Sequence, residues 1–274
     1  KYFSMPCTAT KTNGGRLRNL PRHDPDKWKL YLDYCGQDVI TEMAVLNTLS
    51  SFELPEKEWN LWRLDILVNE KGVEVDRQMV ENAISIDNLK KKGLLEEAKR
   101  ITALANPAST VQLLKWLQEQ GLEIDNLKKE TVAEVLKNAT GKIKQVLKIK
   151  KEISKTSTKK YNAMFEAVGV DNRVRGLLQF YGANRTGRWA GRLVQVQNLP
   201  RNYLSELDDA RNAVLEYKPN YIEVVYGSVS DTLSQLIRTA FVPKKDHKFI
   251  VADFSAIEAR VIAWLAKEEW RLEV

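Results

Sequence analysis

Apolar positions spaced three and four apart alternate with polar ones through most of the first 160 residues, which predicts a mainly helical chain. Asp24 is placed to cap a helix with Pro25 at its first position, and Trp28, Leu32, Cys35, Val39 and Leu46 draw one apolar stripe running to about Leu49. Pro55, in an acidic stretch, breaks the pattern and marks a domain boundary. From Glu58 to about Tyr161 helical segments alternate with short turns. Gly72 to Asp76 reads as a turn and a short extended piece that leads into an N-cap. Ser109-Thr-Val-Gln112 is a capping box opening a helix closed by Gly121, and Thr131-Val-Ala-Glu134 opens another reaching towards Gly141. Past Arg173 the pattern changes. Gly176, Gly182, Gly187 and Gly191 mark loops and strands, followed by helices from Ser205 to about Glu216 and from Ser228 to Ala240. Phe249 to Ala252 is short, unbroken and apolar and predicts a fully buried strand, after which Val261, Ile262 and Leu265 return to helical spacing. The fold class expected is α+β, predominantly helical.

Asp253 then stands at a strand's end, where a carboxylate can hold a divalent metal on a rigid element that stays open to a phosphate-bearing substrate. A structural reading stands beside this one. Ser255-Ala-Ile-Glu258 is also a capping box, and a capped helix after an aspartate is a common junction. Between Lys142 and Lys160 eight lysines and one acid, Glu152, are interleaved with Ile143, Val146, Leu147, Ile149 and Ile153. A helix with that face is either solvated or tracks a phosphate backbone, and the Ser154 to Thr158 break can offer hydroxyls and N–H groups to phosphates. In Thr186-Gly187-Arg188 and Gln195-Val-Gln197-Asn198-Leu-Pro200, glycine allows close backbone approach, Arg188 offers a planar fork, and Gln and Asn can reach base edges. Tyr34 and Asp38 lie four apart on one helix face and can converge on a metal-bound water.

Composition narrows the classes. With 274 residues, 43% apolar, the chain can pack two ordinary domains. A formal charge of +7 favours a polyanionic partner. The two cysteines, Cys7 and Cys35, supply neither a disulfide framework nor a zinc set, so a reducing cytoplasm is the default. No apolar run is long enough for a membrane span, and the start is not a signal peptide. The chain begins without Met and ends shortly after the last helical pattern without a stop signal, so truncation at both ends is expected.

Asp253-Phe-Ser-Ala-Ile-Glu-Ala-Arg260 resembles the first palm motif of family A DNA polymerases, Asp-Tyr-Ser-Gln-Ile-Glu-Leu-Arg, matching five of eight positions. The Thr186 and Gln197 segments resemble the Thr-Gly-Arg and Asn-Leu-Gln-Asn-Ile-Pro pair that precedes that motif. Ile237-Arg238-Thr-Ala-Phe241 resembles the family's Ile-Arg-x-x-Phe. Asn106-Pro-Ala-Ser109-Thr-Val-Gln112-Leu is similar to its Asn-Pro-x-Ser-x-x-Gln-Leu thumb helix, and Tyr34 to Asp38 to the Tyr-x-x-x-Asp motif of DnaQ-like 3′-5′ exonucleases. One departure is a stretch of about forty residues between Asn198 and Arg238, longer than in bacterial repair-type members and similar to phage and prophage ones.

The resemblance implies three parts: residues 1–52 as the end of an exonuclease-like domain, 53–172 as a helical thumb, and 173–274 as the first part of a mixed-sheet palm, with its motif at 251–260. It implies primer-template DNA and deoxynucleoside triphosphates (dNTPs) as partners, two Mg2+ ions as cofactors, and a bacterial or phage-infected cytoplasm. Asp253 and the Phe254 carbonyl become metal ligands, Glu258 lies under the incoming sugar, and Tyr34 and Asp38 belong to the exonuclease, with Asp38 a metal ligand. Lys155, Thr158, Lys159, Arg188, Gln197, Asn198 and Arg238 become DNA contacts. The fingers helix and second catalytic Asp are missing after Asp253, so this chain alone is expected to be inactive, with a separate chain as one source of both. The alternatives are a non-catalytic duplex-binding remnant, a subunit of a split polymerase, and a purely structural helical protein.

Overall fold

Side-chain caps decide where several of the helices begin. Asp24 accepts a hydrogen bond from the Lys27 N–H at 3.0 Å, and Pro25 follows it into α1 (Pro25–Leu49) of the computed structural model, which describes residues 2–271. The later elements are α2 (Glu56–Lys71), β1 (Val73–Val75), α3 (Arg77–Thr102), α4 (Thr110–Glu119), α5 (Lys129–Asn138), α6 (Gly141–Ile153) and α7 (Lys159–Ala167). Then come β2 (Arg173–Val174), β3 (Leu178–Ala183), β4 (Arg188–Gly191), α8 (Leu207–Leu215), α9 (Pro219–Tyr226), α10 (Val229–Leu236), β5 (Phe241–Val242) and α11 (Ile257–Ala266). The architecture is the predominantly helical α+β class expected. No helix among the described residues is long and apolar enough to cross a membrane.

Two compact units divide the chain, Lys1–Leu61 and Trp62–Val274. In the first, an isolated bridge joins Pro6 to Arg18, and the buried Phe3 ring meets Trp28 edge to face at 5.1 Å. Beyond Trp28 the stripe of α1 is open among the described residues, with Leu32, Val39 and Leu46 exposed.

In the second unit β1 is the middle strand of an antiparallel sheet ordered β2-β1-β5, with Val73 opposite Val174 and Val75 opposite Phe241. This small sheet ties together segments about a hundred residues apart and fixes the start of α3. Asp76 caps that helix, accepting from the Met79 N–H at 3.0 Å, while its other oxygen pairs with Arg211 of α8. Met79, Val80, Ala83 and Ile86 of α3 are buried against Tyr161 and Met164 of α7 and Leu233 and Leu236 of α10. Asp76→Ala removes a cap and leaves a half-buried guanidinium unpaired, so it is expected to cost about 2 kcal/mol, read as a lowered urea midpoint at unchanged m. A second, smaller core joins Leu113 and Leu117 of α4 to Val132 of α5 and Val146 and Leu147 of α6.

The long stretch before Arg238 is helical and braced on α3. The Asn82 side chain donates to the carbonyls of Val214 and Leu215 at the end of α8, at 3.0 and 2.9 Å, and Lys90 pairs with Glu223 of α9. Hydroxyls of Tyr226 and Tyr221 both donate to Asp209, which holds its carboxyl below the usual carboxylate range.

Three sequence expectations fail here. Phe249 to Ala252 is not a buried strand: the segment pairs with no neighbour, and Phe249, Ile250 and Val251 are 51%, 86% and 91% exposed. A strand needs a ladder partner to satisfy its backbone, and no described strand offers one. Ser255 does not cap α11; Ala256, in the left-handed conformation, occupies the cap position without a side-chain bond. Thr131 lies inside α5, which starts after Lys128, because Asn126 accepts from the Lys128 N–H at 3.0 Å and from the Thr131 hydroxyl at 2.8 Å. Gly141 accordingly opens α6 and does not close α5.

Candidate active site and nucleic-acid interface

The amphipathic pattern of α6 sorts its side chains as expected: Val146, Leu147 and Ile149 go inward and the lysines outward. At its C-terminal end the turn Ser154 to Thr158 joins α6 to α7 beside a cleft of about 530 Å³. Lys129, Lys150, Lys151 and Lys155 line it, together with Ser154, Thr156 and Ser157, and its opposite wall holds Pro200, Asp231 and Ser234. Four ammonium groups and four hydroxyls around one open cleft suit a phosphate backbone.

Two residues of the turn behave differently. Lys155 sits 3.0 Å from Asp231 Oδ1 and 3.5 Å from Glu152 Oε1, so its charge is shared and a phosphate must compete for it. Thr158 is only 2% exposed, and its hydroxyl accepts from Lys91 at 3.1 Å, while Lys91 also pairs with Asp87 at 2.6 Å. The expected phosphate contact of Thr158 is therefore corrected: this hydroxyl is part of the α3–α7 packing. Lys159, at the first position of α7, is exposed.

Arg238 also has a local task. Its Nε donates to the Pro200 carbonyl at 3.1 Å and its Nη2 to that of Leu199 at 3.0 Å, so it positions the segment after Gln197 and Asn198. Gln197 and Asn198 lie in the 3-10 turn Val196–Asn198 and are exposed. The Gln197 side chain rests against Gly191 at the end of β4, where a Cβ would lie 1.7 Å from its Oε1. A side chain at that position would make the Gln197 amide turn away from the strand. Across the β3–β4 hairpin Gly187 has φ +66°, and a Cβ on it would come within 2.9 Å of the Tyr181 ring.

Arg188 opens β4, and its Nη2 lies 3.0 Å from Glu258 Oε1 in the first turn of α11. Two motifs seventy residues apart are brought together by this contact. Both side chains are well exposed, at 68% and 79%, so the pair contributes little stability and either partner can leave it. Asp253 and Phe254 precede α11 in exposed chain outside any helix or strand, and Asp253 makes no side-chain hydrogen bond among the described residues. Tyr34 and Asp38 lie exposed one turn apart on α1. Among the described residues no cluster of three or more His, Cys, Asp or Glu could hold a metal.

Sequence reasoning passed over Lys129, because the Thr131 pattern drew the cap of α5 three residues past its observed place at Lys128. It also missed the Arg188–Glu258 contact, which no local pattern could reveal.

The profile of DNA polymerase family A matches residues 78–273. A DNA polymerase of Bacillus phage SP02 is 55% identical over 275 residues, covering 100% of this chain and 42% of that relative. The chain therefore spans less than half the length of the relative it matches. With the profile covering well over half of its residues, the chain belongs to DNA polymerase family A.

Proposed function

We propose that this chain contributes the thumb and the start of the palm to a template-directed DNA polymerase that adds dNTPs to a primer 3′-hydroxyl. The observation that supports it most is the lysine-lined cleft between the α6–α7 turn and the segment positioned by Arg238. In this reading residues 1–52 end an exonuclease-like domain, 53–172 form the thumb and 173–274 begin the palm.

Each group then has a defined task. Lys129, Lys150, Lys155 and Lys159 hold phosphates of the primer-template duplex without reading its sequence. Arg188, Gln197 and Asn198 reach the minor groove near the primer end, where every base pair presents acceptors. Glu258 fills the space that a ribose 2′-hydroxyl would need and so selects the deoxy sugar. Asp253 and the Phe254 carbonyl are hard oxygen donors of the kind Mg2+ takes, and they supply part of its coordination sphere. When bound there, Mg2+ stabilises charge on the attacking and leaving oxygens of phosphoryl transfer. One carboxylate and one carbonyl are too few for two ions, so the second aspartate and the triphosphate-binding fingers come from other parts of the polymerase, in the same or a separate chain. Tyr34 and Asp38 would belong to a 3′-5′ exonuclease site whose other acids also lie elsewhere, Asp38 as a metal ligand.

The cleft is tested by primer-template binding to the Lys129→Gln/Lys155→Gln variant. Loss of two phosphate contacts is expected to weaken binding by about tenfold near physiological salt. Unchanged affinity would remove the cleft from the DNA path.

A further inference from the structure

A second basic cavity borders α6, of about 370 Å³. Lys144, Lys148 and Lys151 enter it from α6, at i, i+4 and i+7 and hence on one helix face. Its opposite wall is built by the α9–α10 junction, where Gly227 ends one helix and Ser228 caps the next. That wall belongs to the long stretch between Asn198 and Arg238, so the cavity exists only because this stretch folds back on the thumb helices.

The charges in the cavity do not balance. Its two carboxylates are already engaged, Glu223 by Lys90 and Glu152 by Lys155 and by the Ser228 hydroxyl at 2.8 Å. Lys144, Lys148 and Lys151 make no ion pair or side-chain hydrogen bond among the described residues. Like charges three and four residues apart repel, and Lys144 also lies in the first turns of α6, where the helix dipole disfavours a cation. A bound anion offsets both costs. The three lysines span about 10 Å of helix, longer than one phosphate. Leu94, Leu136 and Val229 form an apolar floor between the charged rim groups, suited to a sugar or base.

We propose that this cavity binds a nucleotide, its phosphates on Lys144, Lys148 and Lys151 and its sugar or base against Leu94, Leu136 and Val229. The site is separate from the duplex cleft, shares only Lys151 with it, and does not rest on the polymerase reading. The nucleotide comes either from a single strand of DNA or from free nucleoside triphosphate, since both carry the same phosphate chemistry.

The test uses this chain and Lys144→Gln/Lys148→Gln, which leaves Lys151 and the cleft intact and keeps good helix formers on α6. The probes are a fluorescein-labelled oligothymidylate of about twelve nucleotides, dATP, and a blunt hairpin duplex. The variant is expected to lose about tenfold in affinity for the oligothymidylate or for dATP while duplex binding stays within about twofold. Loss confined to the oligothymidylate assigns the site to a strand, and loss of dATP assigns it to free nucleotide. Lys144→Arg/Lys148→Arg should restore binding, which separates charge from folding. The proposal is overturned if wild type binds neither single-stranded probe nor dATP, if the Gln variant binds both within twofold of wild type, or if duplex binding falls equally. Failure of the Lys129/Lys155 variant to affect duplex binding would bear on the cleft alone.

Discussion

Asp253→Asn, placed in an intact polymerase that carries this segment, is expected to lower single-turnover nucleotide incorporation by about a thousandfold or more, with primer-template affinity unchanged within about twofold. The substitution keeps the size and shape of the side chain and removes its charge, which is what a divalent cation requires. Folding should not suffer. Asp253 is exposed, makes no hydrogen bond among the described residues, and lies outside α11, so the stability change should stay within about 0.5 kcal/mol. A purely structural Asp253 predicts the opposite result, incorporation within a few-fold of wild type. Ser255→Ala is the matched control: its side chain caps nothing, so both rate and stability should hold.

Leu233→Ala is expected to be the most destabilising of the simple truncations, at about 3 kcal/mol, because Leu233 is fully buried where α10 meets α3 and α7. Around it the packing leaves little room to relax. Tyr161, also buried, donates its hydroxyl to the Leu233 carbonyl at 2.8 Å, and burial pushes that phenol's pKa up, so it stays a donor at all ordinary pH values. A cavity at Leu233 therefore loosens the junction between α3, α7 and the α8–α10 stretch at once. Thermal unfolding should fall by about 10 °C, whereas Val224→Ala on the exposed face of α9 should move it by no more than about 2 °C. Equal effects from the two substitutions would mean that this core is not the one holding the unit together.

How much of this was legible depends on the range of the interaction. Asp24, Asp76, Ser109 and Ser228 each accept from an N–H three residues on, and a contact that local leaves a readable signature in the chain. The same rule could have found α9, which was not anticipated: Pro219 sits at its start and Gly227, at φ +77°, just past its end. Caps misled where the side chains had other partners. The Thr131 hydroxyl donates to Asn126, and Glu258, which a capping box would turn back on its own helix, reaches across to Arg188 instead.

Long-range partners were not legible at all. The Phe249 to Ala252 run is apolar enough for a core strand, yet strand formation is decided by a neighbour that the local pattern does not encode. Thr158 has the composition of a phosphate-binding turn, and only the placement of Lys91 on α3 shows that its hydroxyl faces inward. Arg238 carries a guanidinium suited to DNA, and only the approach of Leu199 and Pro200 gives it a backbone to hold. Lys159, Arg188, Gln197, Asn198, Asp253 and Glu258 are exposed, so their side chains are open to a ligand, whereas Lys155 is held by Glu152 and Asp231.

The reading of this chain as the DNA-gripping part of a polymerase is tested most directly by titrating it with a primer-template duplex at several salt concentrations. With about four phosphates neutralised by the cleft lysines, the logarithm of affinity should fall against the logarithm of salt with a slope of about −3.5, or roughly a hundredfold loss from about 50 to 200 mM. Affinity that does not change with salt, or no binding at the lowest salt, would contradict it.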